Sequence, residues 1–406
     1  MSIEIISGGV CAAKGFKASG VHAGIRQNKT KKDLALIYSE VKANCAAVYT
    51  TNKVKGAPLT VTKENIKDGF AQAVICNSGN ANTCNANGIE IAEQMCSLLA
   101  DELKINKTDV VVASTGVIGQ PLSIEPIKNA IPELCSSLSE SGSAMAAEGI
   151  MTTDTKLKEV TVSFEIGGKL CKMGGICKGS GMIHPNMATM LVFITTDCAI
   201  SSEMLNKALC GDVQNSFNMV SVDGDTSTND MVTVLANGMA GNKTIVSAGE
   251  DFKEFMKALN TVTVNLCRKI AADGEGATKM LECEVAGAKD EKNAKIIAKS
   301  VICSSLVKAA MFGADANWGR ILCAIGYSGA EVDVNRVDVS FKSKKGEIPV
   351  CHNGAGVDFS EEFAKEILLE NEIVIAIKLG DGEASSTAWG CDLTYDYVKI
   401  NGDYRT

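Results

Sequence analysis

Lys178-Gly179-Ser180-Gly181-Met182-Ile183-His184-Pro185-Asn186-Met187-Ala188-Thr189-Met190-Leu191 is the stretch on which the reading of this chain turns. A glycine-rich, proline-stopped loop runs straight into an apolar run that predicts a core strand, and Thr189 stands at the junction. Ala188 is small, so the carbonyl before the threonine is open to attack. That layout fits a self-cleaving precursor. The Thr189 hydroxyl attacks the carbonyl of residue 188, the bond is cut, and the new α-amine serves as base for its own hydroxyl. A threonine opening a strand is also simply a β-branched residue with good strand propensity. Both readings stand at this point.

The bulk of the chain sets the frame. Its 406 residues are too many for one simple core and predict two or three packed lobes. Hydrophobic content of 46% with 22% charged residues is ordinary for a globular protein. A net charge of -8 leaves no basic surface for nucleic acid. The short basic run of Lys29, Lys31 and Lys32 reads as a solvated loop. Met1 to Ile6 has no basic leader, and no run approaches the roughly 18 apolar residues of a membrane helix. The expectation is a cytoplasmic protein with no membrane partner.

Sixteen cysteines are scattered almost singly from Cys11 to Cys391. Cys76, Cys303 and Cys323 each follow an apolar run and read as small buried hydrophobes in a reducing compartment. The three histidines, His22, His184 and His352, form no ligand pair at helical spacing, so no metal site is expected.

Strand-like runs at 46–50, 73–76, 110–113 and 160–164 alternate with turns. Helical periodicity appears at Ile91, Met95, Leu98 and Leu99, and again at Leu205, Leu209, Val213 and Phe217. A later helix is expected over 361–370, with Asp358 and Glu361 as a capping box. There is no dinucleotide fingerprint, so mixed α/β sheets covered by helices fit better than a doubly wound sheet. The charged stretch 287–293 is a candidate boundary or large surface turn.

Acyl transfer needs a nucleophile, a base and donors for the developing oxyanion. An α-amine titrates near ~7.7–8.0, so a freed Thr189 amine is partly basic at cellular pH. Ser114-Thr115-Gly116 follows the run 110–113, and a hydroxyl and an N–H at a tight strand exit can point at one oxygen. A plain strand-ending turn is the alternative. The loop 223–230 begins like a calcium loop but has Thr228 at the glycine position and Val234 at the glutamate position, so it is rejected. Lys178-Gly179-Ser180 lacks the order of a phosphate loop. Asn77 to Asn82 reads as an anion nest or an ordinary turn. Asp273-Gly274-Glu275-Gly276 sets a carboxylate between two glycines, where close backbone approach is open.

The loop before Thr189 closely resembles the cleavage segment of the ornithine acetyltransferases, the glutamate N-acetyltransferases of arginine biosynthesis. Further words similar to that family include 305–313, Asn317-Trp318-Gly319-Arg320, 380–385 and 388–401. Ala316 stands where proline is common in the family, and Gly402 where alanine is. The resemblance implies a four-layer αββα sandwich like that of self-cleaving aminopeptidases, with a smaller C-terminal α/β lobe at about 285–406. It implies cleavage between Ala188 and Thr189 into an α-chain, 1–188, and a β-chain, 189–406, assembled as a heterotetramer. Thr115 and Gly116 become the oxyanion pair. Thr152, Lys178, Glu275, Asn401 and Thr406 become substrate contacts, Lys178 as a point charge for a carboxylate and Glu275 for an ammonium group. Three of the six tyrosines, Tyr395, Tyr397 and Tyr404, crowd the tail, which suits a tail docked on the body.

The activity so implied is ping-pong transfer of acetyl from N2-acetylornithine to glutamate through acetyl-Thr189. No cofactor is needed, and the sequence leaves open whether acetyl-CoA is a second donor. Two rivals remain: an amidase or aminopeptidase using the same Thr189, and an uncleaved, non-catalytic binding protein.

Overall fold

Alternate residues of the strands face different cores, and this builds the fold layer by layer. The computed structural model describes residues 3–26, 28, 30–184 and 190–403. Ala188 and Thr189, with Lys29, Tyr404 and Thr406, lie outside the described residues.

In chain order the first half carries β1 (Glu4–Ile6), β2 (Phe16–Val21), β3 (Leu34–Tyr49), α1 (Ala57–Asn65), β4 (Phe70–Asn80), α2 (Gly88–Leu103), β5 (Val110–Val117), α3 (Ile124–Ser136), α4 (Ser143–Ile150), β6 (Lys158–Ile166) and β7 (Lys169–Lys178). There follow β8 (Leu191–Thr196), α5 (Ser202–Asp212), β9 (Val220–Ser221), β10 (Met231–Ala236), α6 (Glu250–Ala272) and β11 (Met280–Ala288). Last come α7 (Glu291–Cys303), α8 (Ser305–Phe312), α9 (Trp318–Gly326), β12 (Asp338–Ser343), β13 (Gly346–His352), β14 (Ala355–Gly356), α10 (Glu361–Leu368), β15 (Glu372–Lys378), β16 (Ala384–Cys391) and α11 (Tyr395–Gly402).

Among the described residues, nine strands form one sheet in the order β1-β6-β7-β8-β10-β3-β4-β5, with β2 also on β3. The sheet folds over itself at the long strand β3. Val110 and Val112 of β5 pack with α1, α2 and α3, whereas Val111 and Ala113 turn to a second core. That second core also takes Leu191 and Phe193 of β8 and Met231 and Leu235 of β10. The intervening residues Val192, Ile194, Val232 and Val234 pack against α5 and α6. Side chains two apart share a face, so these assignments define four layers: helices, sheet half, sheet half, helices. This is the αββα sandwich that the resemblance implies.

A second, mixed sheet runs β14-β13-β12-β15-β11-β16-β9. Its residues share one continuous core with α6 and α7, so the C-terminal lobe is fused to the helical layer of the sandwich. The stretch 287–293 is not a boundary. It is the tight turn from β11 into α7, capped by the Asp290 side chain accepting from Asn293 N–H at 2.8 Å.

Three local expectations are corrected. The α5 helix stops at Asp212, because the Ser216 hydroxyl bonds the Asp212 carbonyl and carboxylate, yet Val213 and Phe217 stay buried in the turns beyond. Ser360, not an Asp358–Glu361 box, caps α10 by accepting from Phe363 N–H at 3.2 Å. Cys323 is exposed and Cys303 only half-buried, its thiol 3.5 Å from His184 Nδ1, while Cys76 is buried as expected.

Candidate active site

β8 is buried along its whole length, and its entry point is fixed from two sides. The Met190 carbonyl accepts from Met231 N–H at 2.9 Å. Lys178, at the end of β7, lies directly across from Leu191. The segment before the undescribed residues is pinned as well. Asp223 accepts from Met182 N–H at 2.6 Å and Ile183 N–H at 2.8 Å, and Thr226 Oγ1 donates to the His184 carbonyl at 2.9 Å. The loop that resembles a calcium site thus works as a clamp on the approach to residue 185. Asp223 also accepts from the Tyr397 hydroxyl of α11 at 3.2 Å, so the C-terminal helix joins the same clamp.

The 223–230 loop carries the connection onward to β5. Asn229 Nδ2 donates to the carbonyls of Ser114 at 2.9 Å and Ala81 at 2.6 Å, two residues before Met231 grips Met190. Thr115 and Gly116 are therefore tied to the start of β8 through one short loop. They do not follow a strand exit, as the sequence suggests, but lie inside the last turn of β5 pairing, where the register with β4 breaks at Gly79 and Asn80. Gly116 has a φ of 131°, and a Cβ there would sit 2.3 Å from the Gly79 carbonyl carbon. Only glycine fits that approach. Thr115 is 8% exposed, and among the described residues its hydroxyl takes no hydrogen bond.

Of the substrate contacts implied by the resemblance, Asn401 touches Glu275, and Thr152 and Lys178 share Asp154. Asn401 Nδ2 donates to Glu275 Oε2 at 2.8 Å. Glu275 N–H returns to the Ser180 carbonyl at 2.9 Å, and a Cβ on Gly181 would collide with the Glu275 carboxylate at 2.3 Å. Lys178 is buried with its Nζ 3.9 Å from Asp154 Oδ2, and it makes no hydrogen bond among the described residues. Thr152 N–H donates to the same Asp154 oxygen at 3.0 Å. Burial resists ionising Asp154, but Lys178 and Lys158 outweigh it and hold the carboxyl well below the usual range. Burial instead holds the carboxyl of Asp230, which precedes Met231, well above that range, against the pull of Ser227 and Lys178.

Several of these partners carry no signal in sequence. Arg26 donates to the Met151 carbonyl and lies against Gly79. Asn229, Asp223, Lys158 and Asp273 become visible as site residues only through contacts with distant parts of the chain. The asparagine-rich stretch 77–82 is neither nest nor free turn. Its side chains bond the carbonyls of Asn80, Gly88 and Gln120 and brace the β4–β5 ends.

His184 makes a pH prediction. Burial, with Lys299 nearby, lowers its imidazole to about 4, so the fold favours the neutral ring. Its Nδ1 lies 3.1 Å from Ser221 Oγ. The unfolded ring takes a proton near ~6.5. Stability is therefore present above that value and is lost as pH falls from about 6.5 toward 4. His184→Asn should flatten the Tm-against-pH curve in that window. An unchanged slope would show that other groups set it.

With this geometry in view, comparison with known proteins is direct. The sequence profile of the ArgJ family matches residues 17–406. The chain belongs to the ArgJ family. The arginine biosynthesis bifunctional protein ArgJ of Caldanaerobacter subterraneus subsp. tengcongensis is 54% identical over 405 residues, covering all of both chains. The protein of the same description from Thermotoga neapolitana is 48% identical over 97% of this chain and 99% of its own. A crystal structure of arginine biosynthesis bifunctional protein argJ from Bacillus halodurans has 47% identity and a TM-score of 0.51, covering 53% of this chain and 100% of its own. Among the described residues, no helix is long and apolar enough to cross a membrane.

Proposed function

We propose that this ArgJ-family chain is a self-processed acetyltransferase of arginine biosynthesis, moving acetyl from N2-acetylornithine to glutamate through acetyl-Thr189. The observation that carries this reading is a chain of contacts leading to the start of β8: Lys178 stands across from Leu191, Asn229 ties the Ser114 carbonyl to the loop that holds Met190, and Asn401 reaches Glu275, whose N–H bonds the Ser180 carbonyl. Thr189 is bonded to Met190, whose carbonyl is held at that spot.

In the first half-reaction the Thr189 Oγ attacks the acetyl carbonyl, and the α-amine of Thr189 takes the hydroxyl proton. The oxyanion rests on the Thr115 hydroxyl and the Gly116 N–H. Collapse breaks the amide bond, and the proton passes to the departing ornithine amine. Glutamate then attacks acetyl-Thr189 through its neutral amine, and the hydroxyl is regenerated. Lys178 offers charge to the substrate carboxylate, and Glu275, oriented by Asn401, to the ornithine side-chain ammonium. Thr152 and Thr406 complete the substrate contacts.

Cleavage after Ala188 gives an α-chain of 1–188 and a β-chain of 189–406. The solved relative aligns over its whole length with only 53% of this chain, a fraction close to the 218 of 406 residues downstream of the cut. Two of each chain assemble as a heterotetramer in the cytoplasm, without metal or cofactor. Relatives bear the description bifunctional, and we extend this to acetyl-CoA as a second donor, used as a substrate only.

The test is to incubate purified protein with glutamate and each acetyl donor separately. N-acetylglutamate should form with either donor, and faster than acetate. Acetate alone would make the chain an amidase on the same nucleophile. A single uncut, inactive chain would make it a binding protein.

A further inference from the structure

The groups assigned to substrate fall on both sides of the cut. Thr152 and Lys178 precede it, while Glu275 and Asn401 follow it. A buried cluster of charge ties the two sets together. Lys158, 1% exposed at the start of β6, donates to Asp154 Oδ1 at 2.7 Å and to Asp273 Oδ2 at 2.5 Å. Asp154 in turn accepts from Thr152 N–H at 3.0 Å and Gly179 N–H at 2.7 Å, and stands 3.9 Å from Lys178 Nζ. Asp273 accepts from the N–H groups of Thr155 at 3.1 Å and Lys156 at 3.2 Å and from the Thr155 hydroxyl. The Asp273 carbonyl takes the Ser180 hydroxyl at 2.7 Å, and Ser180 is the residue whose carbonyl holds Glu275.

We infer that Asp154, Lys158 and Asp273 are positioning residues, an ionic clasp that sets Glu275 of the downstream piece in register with Thr152 and Lys178 of the upstream piece. The inference rests on the substrate roles proposed above. A lone lysine between two carboxylates at this depth is held only while all three partners remain, since removing one leaves a buried charge without its counterpart. Each acid spends its remaining lone pairs on backbone N–H groups of substrate-bearing segments, so the clasp sets their geometry as well as neutralising charge. Once the bond after residue 188 is cut, the chain no longer passes directly from Ser180 to Met190. The clasp and the sheet pairing then carry the register.

The test compares Lys158→Met with Lys158→Arg, which keeps the cation. Each is assayed as the purified, processed enzyme below its Tm. Lys158→Met should lose on the order of 10²-fold in kcat/KM for N2-acetylornithine, the scale of an ångström's misplacement, with most of the loss in KM. Calorimetric binding of ornithine should weaken in parallel, and Lys158→Arg should recover most of both. If Lys158→Met yields no folded protein, Asp273→Asn, which keeps shape and loses charge, is measured the same way. A folded variant with wild-type KM and wild-type ornithine affinity overturns the inference. So does failure of both variants to fold, because the cluster then serves stability alone. Absence of acetyl transfer in the unmodified enzyme would instead overturn the proposed function, and ornithine calorimetry separates the two.

Discussion

Thr189→Ala will remain a single chain of 406 residues and will transfer no acetyl group. Wild-type protein will give two pieces of roughly equal size on a denaturing gel, with intact masses that place the cut between Ala188 and Thr189. Loss of the nucleophile should lower turnover by on the order of 10⁶-fold, the scale seen when a covalent catalyst loses its attacking group. The fold itself should survive both cleavage and mutation. β7, upstream of the cut, pairs with β8 downstream, and β3 pairs with β10 in the same way. The approach segment is clamped at Met182, Ile183 and His184, and the exit at Met190. Wild type and Thr189→Ala should therefore elute together on size exclusion, although only one of them is cut. Thr189→Ser keeps a hydroxyl and an α-amine, so it should cut and transfer more slowly. Full activity in an uncut chain would remove the α-amine from the mechanism.

How far the sequence reveals this architecture depends on whether a feature is local. The strands at 73–76, 110–113 and 160–164 are readable because each is a short apolar or alternating run whose faces belong to cores. The loop before Thr189 is readable because a glycine run, a proline and a core strand stand in immediate succession. Glu275 is readable because Gly274 and Gly276 flank it, while its close approach to Gly181 is not. Lys158 is not. In Lys-Glu-Val-Thr-Val a lysine at the first strand position reads as a solvated end, and only the fold brings Asp273, 115 positions away, against it. The Asp223 clamp is hidden for the same reason. Its donors lie about 40 positions upstream and in the final helix. The placement of Thr115 and Gly116 within β5, rather than beyond it, depends on a register break that needs the partner strand β4 to be seen. Caps and helix ends fail on a smaller scale. Ser360 and Asp358 are both good caps, and the packing of α10 against β12 and β13 selects between them.

Thr115→Ala is the second decisive substitution. Turnover should fall by about 10²-fold or more, the scale of losing one oxyanion donor. Self-cleavage should slow as well, because both reactions develop negative charge on an oxygen beside the same hydroxyl. The structure makes this a clean experiment. The Thr115 hydroxyl has no hydrogen-bond partner among the described residues, so its removal strands no buried donor or acceptor, and the change in stability should be that of one lost buried methyl, about 1 kcal/mol. Gly116 is untouched, and its N–H keeps the geometry forced by the approach to Gly79, so residual turnover should persist. Thr115→Ser should recover most of the loss, and Thr115→Val, which keeps the shape, should not. The effect belongs in kcat and not in KM, since an oxyanion donor acts on the transition state. A rise in KM at constant kcat would instead make Thr115 a substrate contact. Turnover within a few-fold of wild type for both Thr115→Ala and Thr115→Val would leave it as no more than a strand residue, with the oxyanion resting on Gly116 N–H alone.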